Sequence, residues 1–288
     1  MPVVLHFFRE SSLDKLDLEK IMDFFSNNPN YRFFEEEDAF SIKYADEEFK
    51  FSYRFILTKK SRINQIYRLS PKYINLNFSL EMPVLIPRFL AQEVLGVAQR
   101  LCNMFQLSVY HETYDDISPF NITHLLVLFE RIRSASIKQF GYQGKYTYDF
   151  DKLSIVCKYQ RSVANLQDYY KDQVEVNLVN PIVDINTNEA SMSCIWKVGE
   201  AVLFPPYVDY IYILEEGSIP YIIRSEDFFR NFSKYIDKVE AHLPDLYIMK
   251  RKAAIKAGKN LKKIRKYMMN IDQFKKIRLC DIVDRIQE

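Results

Sequence analysis

Two imidazoles and three carboxylates fall within fourteen residues: His111, Glu112, Asp115, Asp116 and His124. Imidazole beside carboxylate is the combination that general acid–base catalysis and divalent-metal binding both draw on. The spacing fits no metal-site pattern, however, and nothing in it obliges His111 and His124 to converge. Asp115 and Asp116 serve equally well as turn residues ahead of Ser118-Pro119. His111, Asp115, Asp116 and His124 therefore stand as candidates for an enzymatic or metal site, the alternative to the reading developed below.

A second set of residues carries charge. Lys250, Arg251, Lys252, Lys256, Lys259, Lys262, Lys263, Arg265 and Lys266 crowd seventeen residues that contain no acid. Across residues 250–278 there are 12 Lys and Arg against the single Asp272, a net of +11. Residues 1–249 hold 27 basic and 34 acidic side chains, a net of −7, so the whole-chain value of +2 conceals an asymmetry. Leu261, Ile264, Met268 and Ile271 recur at 3-4-3 spacing, which predicts one long helix with a dry stripe and cationic flanks. Such a helix can meet nucleic-acid phosphates, an anionic membrane surface or an acidic protein surface. Lys252, Lys256, Lys259, Lys262, Lys263, Arg265 and Lys266 are the expected binding residues. The bland reading is that the stripe docks on the protein's own core and leaves the lysines in solvent or facing the acidic body.

Other chemistry is excluded by motif. Gly141-Tyr142-Gln143-Gly144-Lys145 lacks the glycine count and the strand-to-helix order of a phosphate-binding loop, and reads as a linker. No Gly-x-Ser-x-Gly or His-Glu-x-x-His occurs. The four cysteines, Cys102, Cys157, Cys194 and Cys280, form no Cys-x-x-Cys pair and sit among apolar neighbours. They read as buried thiols of a reducing compartment, so the cytoplasm is the expected location. No metal or cofactor is called for. The apolar start of the chain is too short for a signal peptide, and no run approaches the ~18 apolar residues of a membrane span.

These residues need a scaffold. With 48% hydrophobic residues, 22 Phe and 20 Tyr, the chain has ample material for a core. Residues 3–8 read as a buried strand, and a helix with apolar positions Leu13, Leu16, Leu18, Ile21, Met22, Phe24 and Phe25 follows. Alternation at Phe40, Ile42 and Tyr44, then at Phe49 through Leu57, predicts a hairpin. A further strand (Ile74 to Leu80), a helix (88–104) and a short strand (107–110) follow. The order β-α-β-β-β-(loop)-β-α-β resembles a ferredoxin-like sandwich in topology, a mostly antiparallel sheet with helices on one face. The resemblance implies no function.

Ser118-Pro119 is expected to open a helix reaching residue 139. The second half reads as strand-rich, with runs at residues 153–159, 174–179, 190–198 and 208–214, and a helix from Ser225. Trp196, the only tryptophan, is expected in the core. The fold class is therefore α+β. Expected domains are an α+β sandwich with its linking helix (1–140), a strand-rich α+β domain (141–244) and a basic helical segment (245–288). The leading expectation is a non-enzymatic binding or adaptor protein acting through its basic C-terminal helix. A structural subunit of a protein complex, with Leu261, Ile264 and Met268 packed on another chain, is a further alternative.

Overall fold

Val3, Leu5 and Phe7 are buried while Val4 and His6 are half-buried, the period of two that makes Pro2–Glu10 a strand, β1. The computed structural model describes residues 2–14, 16–239 and 243–285, the side chains of Leu18 and Asp172 aside. It divides into two units, Met1–Gln143 and Gly144–Glu288, each a mixture of helix and largely antiparallel sheet.

In the first unit β1 is followed by α1 (Leu18–Ser26), β2 (Tyr31–Glu35), β3 (Ala39–Asp46), β4 (Phe51–Thr58) and β5 (Tyr73–Pro83). Next come α2 (Arg88–Phe105), β6 (Leu107–Tyr110), β7 (Ser118–Pro119) and α3 (Ile122–Phe140). The seven strands form one sheet in the order β2-β3-β4-β5-β1-β6-β7, every pairing antiparallel. The alternation of elements is the one expected. The sheet itself is wider than a β-α-β-β-α-β unit and places β1 between two antiparallel neighbours, β5 and β6.

Helix α1 begins later than its leucines suggest. Asp17 accepts the Glu19 N–H at 3.0 Å and starts the helix there, so Leu13 and Leu16 precede it. The Leu18 side chain lies outside the described residues. Phe25 carries α1 onto the sheet, its ring 4.8 Å from that of Phe55, and Phe7 lies 5.3 Å from Phe78. Each such burial is worth roughly 1.5–3 kcal/mol. Leu90, Val94, Leu95, Ala98 and Leu101 bury the face of α2.

Ser118-Pro119 does not open α3. It pairs with β6 as β7, and Asn121 caps the helix by accepting the His124 N–H at 3.1 Å. An asparagine side chain reaching the third residue on is a stronger start signal than a proline that lacks one.

The second unit runs β8 (Tyr146–Tyr148), α4 (Phe150–Tyr170), β9 (Glu175–Val176), β10 (Asn180–Asp184), β11 (Ala190–Lys197) and β12 (Val202–Phe204). It continues with β13 (Tyr210–Leu214), β14 (Tyr221–Arg224), α5 (Ser225–Phe232), β15 (Asp237–Val239) and β16 (Leu246–Met249). Last come α6 (Arg251–Gly258), α7 (Lys262–Arg265), β17 (Phe274–Lys276) and β18 (Ile282–Asp284). The sheets are β14-β13-β11-β10-β17, β15-β16-β12-β9 and the pair β18-β8.

Residues 153–159, expected as a strand, lie instead inside α4. Asp149 caps this helix at the Lys152 N–H, and Leu153, Val156, Cys157 and Val163 bury one face at helical spacing. An apolar run of this length is ambiguous between strand and helix, and the cap decides it. Trp196 is fully buried, as expected, with its ring 5.3 Å from Phe228 and its Nε1 donating to the Glu200 carbonyl at 3.1 Å.

The single long basic helix is also corrected. Residues 250–278 form two short helices, a 3-10 turn and a strand. Gly258 ends α6 where the chain crosses Val198 so closely that an added Cβ would sit 2.9 Å from its Cγ1. Asn260 then turns the chain, its Nδ2 donating to the Lys256 carbonyl at 2.8 Å. The dry stripe exists but lies further upstream. Ala254, Ala257, Leu261 and Ile264 are buried at 3-4-3 spacing in one core with Trp196, Phe204, Phe228 and Met249. Met268 is about half exposed (49%), and the Met269 N–H bonds to the Ile222 carbonyl of β14 instead of continuing a helix.

Candidate functional site

The charged residues of the second unit are placed by that buried stripe. With Ala254, Ala257, Leu261 and Ile264 facing inward, helical geometry turns Lys252, Lys256, Lys259, Lys262, Lys263, Arg265 and Lys266 outward, and each is exposed. Three of the twelve basic residues between positions 250 and 278 are ion-paired: Lys250 with Asp237 at 3.1 Å, Arg265 with Glu215 at 2.7 Å and Arg278 with Asp281 at 3.0 Å. The other nine have no carboxylate within ion-pair distance among the described residues. Lys266 lies over the Tyr267 ring, 4.8 Å from its centroid, leaving its ammonium accessible. Leu261 and Ile264 are consumed by the unit's own core, which removes them as a surface for another chain.

The histidine–carboxylate cluster of the first unit is split between two cavities. Asp115, Asp116 and His124 line one of about 770 Å³, which His111 does not reach. Asp116 there accepts the backbone N–H groups of Ser70 (3.0 Å) and Ile117 (2.8 Å), and these bonds hold its carboxyl below the usual range. It serves as the turn residue that its position suggests. Among the described residues no group of three or more His, Cys, Asp or Glu side chains is placed to hold a metal ion.

His111 belongs to a different cavity, of about 450 Å³, together with His6, Arg62, Glu81, Glu112 and Ser136. Antiparallel pairing of β1 with β6 sets His6 opposite Tyr110 and so beside the next residue, His111. Val4 and His6 occupy the alternate positions of β1, on the sheet face opposite Leu5 and Phe7, and Ile132, Ala135 and Ser136 of α3 contribute to the wall. Glu81 is bridged by Arg54 at 2.8 Å and Arg62 at 3.0 Å.

Burial, then His111, then Arg62 lower His6 from 6.5 to about 4, with Glu81 opposing. Burial likewise lowers His111. The unfolded chain takes up a proton near pH 6.5 that folded His6 resists until about pH 4, so this group's contribution to stability is lost as pH falls across that window. Urea titrations are expected to show stability falling from pH 6.5 to 4.5 in the wild type and falling less in His6→Gln. Equal declines would remove His6 as the cause.

His6, Arg62, Glu81 and Ser136 carry no motif, and their convergence depends on strand pairing across about a hundred residues of sequence. One local signal was available: His6 interrupts the apolar run from Val3 to Phe8, where an imidazole is out of place unless it has something to face. None of the four cysteines lines either cavity. Cys102, Cys157 and Cys194 are buried, with Cys102 pushed up to about 12 by its burial, and no disulfide forms among the four. No helix among the described residues is long and apolar enough to cross a membrane. Compared with known proteins, the chain matches no family model, no curated protein and no solved structure.

Proposed function

We propose that the chain is a non-enzymatic binding protein of the cytoplasm whose second unit engages a nucleic-acid duplex along its phosphates. The observation that carries this reading is the exposure of nine basic side chains within residues 250–278 that no described carboxylate neutralises. Eight of the nine are lysines, point charges that suit phosphates without the bidentate geometry used to read base edges. Sequence-independent backbone contact is the expected mode. Tyr267 and Phe274 are the aromatics interleaved with them, and Phe274 is buried, which leaves too few for a stacking platform on single strands. Against a membrane surface stands the direction of the apolar stripe. Its residues face the core, leaving Ile255 (46% exposed) and Met268 as the half-exposed apolar side chains beside the lysines. Cytoplasmic location rests on the buried free thiols.

The test is a fluorescence-anisotropy titration of a labelled 20-base-pair duplex with the full chain at rising salt. If six lysines meet phosphates, affinity is expected to fall about a thousandfold between 50 and 200 mM salt, from a slope of about −0.9 per phosphate. The variant with Lys252, Lys256, Lys259, Lys262, Lys263 and Lys266 all changed to Gln is expected to lose that binding with its melting temperature little changed. Binding to phosphatidylserine vesicles but not to the duplex would transfer the surface to a membrane. Binding to neither at 50 mM salt would end the proposal.

A further inference from the structure

The cavity beside β1 in the first unit has features that packing alone does not account for. Its walls are apolar at Val4, Val84, Ile132, Ala135 and Phe140, yet both of its imidazoles stand among them. The Thr113 N–H donates to His111 Nδ1 at 3.2 Å, and the Thr113 hydroxyl lies 2.9 Å from the same atom. A ring nitrogen that accepts an N–H is unprotonated, so the neutral His111 ring carries its proton on Nε2 as a donor. Among the described residues the buried hydroxyl of Ser136 has no hydrogen-bond partner, a group that costs free energy until something meets it.

The charges narrow the choice of what meets it. Glu81 is already held by Arg54 and Arg62, so Arg62 is not a free cation awaiting an anion. Glu112, exposed at the same cavity, adds a carboxylate that would repel one. What remains is a slot with apolar walls and neutral donors and acceptors, of the size at which proteins enclose small organic ligands. We propose that this cavity is a binding site for an uncharged organic molecule of about nucleoside size that both donates and accepts hydrogen bonds. The inference concerns the first unit and stands independently of the cationic surface of the second.

The experiment is an NMR titration of the full chain at pH 7, following the histidine ring resonances with adenosine, uridine, adenosine monophosphate and indole as probes. His124, outside the cavity, is the internal control. Adenosine or uridine is expected to shift His6 and His111 saturably and leave His124 unmoved, with the monophosphate at least tenfold weaker. Ser136→Leu, which fills the cavity, is expected to abolish those shifts, and Gln139→Ala at the rim to weaken them severalfold while the chain stays folded. No shift of His6 or His111 with either nucleoside at 10 mM would overturn the proposal. So would tighter binding of the monophosphate, or indole binding as well as the nucleosides, since either replaces a neutral polar ligand by another class. Ser136→Leu that melts higher than wild type while leaving the nucleoside shifts intact would also overturn it, because the void would then be a packing defect.

Discussion

Trp196→Ala is expected to lower the unfolding free energy of the second unit by about 3–5 kcal/mol, the range for truncating a large buried aromatic. Trp196 is fully buried, and Phe228 and Phe232 meet it edge-on at 5.3 and 6.0 Å. Its indole N–H bond to Glu200 is lost with it, leaving that carbonyl without its donor. The loss is a large fraction of the roughly 5–15 kcal/mol by which domains are usually stable, so a clearly lowered melting temperature is the expected phenotype. Urea unfolding followed by far-UV circular dichroism measures it directly. A decrease below 1 kcal/mol would mean that the ring does not hold this core together. As the only tryptophan, Trp196 also makes wild-type fluorescence a specific reporter of the second unit. Its emission should be blue-shifted and should move to longer wavelength only when that unit opens.

Ile264→Asp is expected to be at least as damaging, and it tests how the cationic segment is held. Ile264 is fully buried in the core that includes Trp196 and Met249, so the substitution removes an apolar side chain worth about 2–5 kcal/mol and introduces an unpaired carboxylate. Ile255→Asp, on the preceding helix at a 46% exposed position, should change stability by only about 0.5 kcal/mol. The contrast is the informative quantity. If residues 250–278 projected from the body as an independent rod, the two variants would be equally mild. Thermal melts of both proteins decide between these pictures.

Much of the architecture was legible because alternation is a local signal. Phe40, Ile42 and Tyr44, and Tyr53, Phe55 and Leu57 across from them, announced β3 and β4 without help from elsewhere. The errors have physical causes too. Residues 153–159 are apolar enough for either state, and the deciding information lay in Asp149, just outside the run. For residues 250–278 the 3-4-3 spacing of Leu261, Ile264, Met268 and Ile271 looked like one stripe. The buried set starts at Ala254 and ends at Ile264 because Gly258 and Asn260 bend the chain between two short helices. Alanines carry little weight in a hydrophobic pattern, yet Ala254 and Ala257 bring the helix close to its core.

The two candidate sites were unequally visible. Charge is counted residue by residue, so the lysines were plain from composition, although their exposure was not. The grouping of His111 with Asp116 and His124 was a matter of proximity along the chain. The structure joins His111 to His6 instead through the β1–β6 register. No short-range pattern encodes that pairing, and Ser136, on a helix still further along, adds nothing recognisable until the helix is placed.

The burial of Ala254, Ala257, Leu261 and Ile264 has a thermodynamic consequence for whatever meets the lysines beyond them. Spacing between neighbouring ammonium groups is set by helices already folded, so docking requires no ordering of the backbone. Calorimetry of the proposed association with a duplex should accordingly show a heat-capacity change close to that of two preformed surfaces meeting, far smaller than that of a segment that folds as it binds.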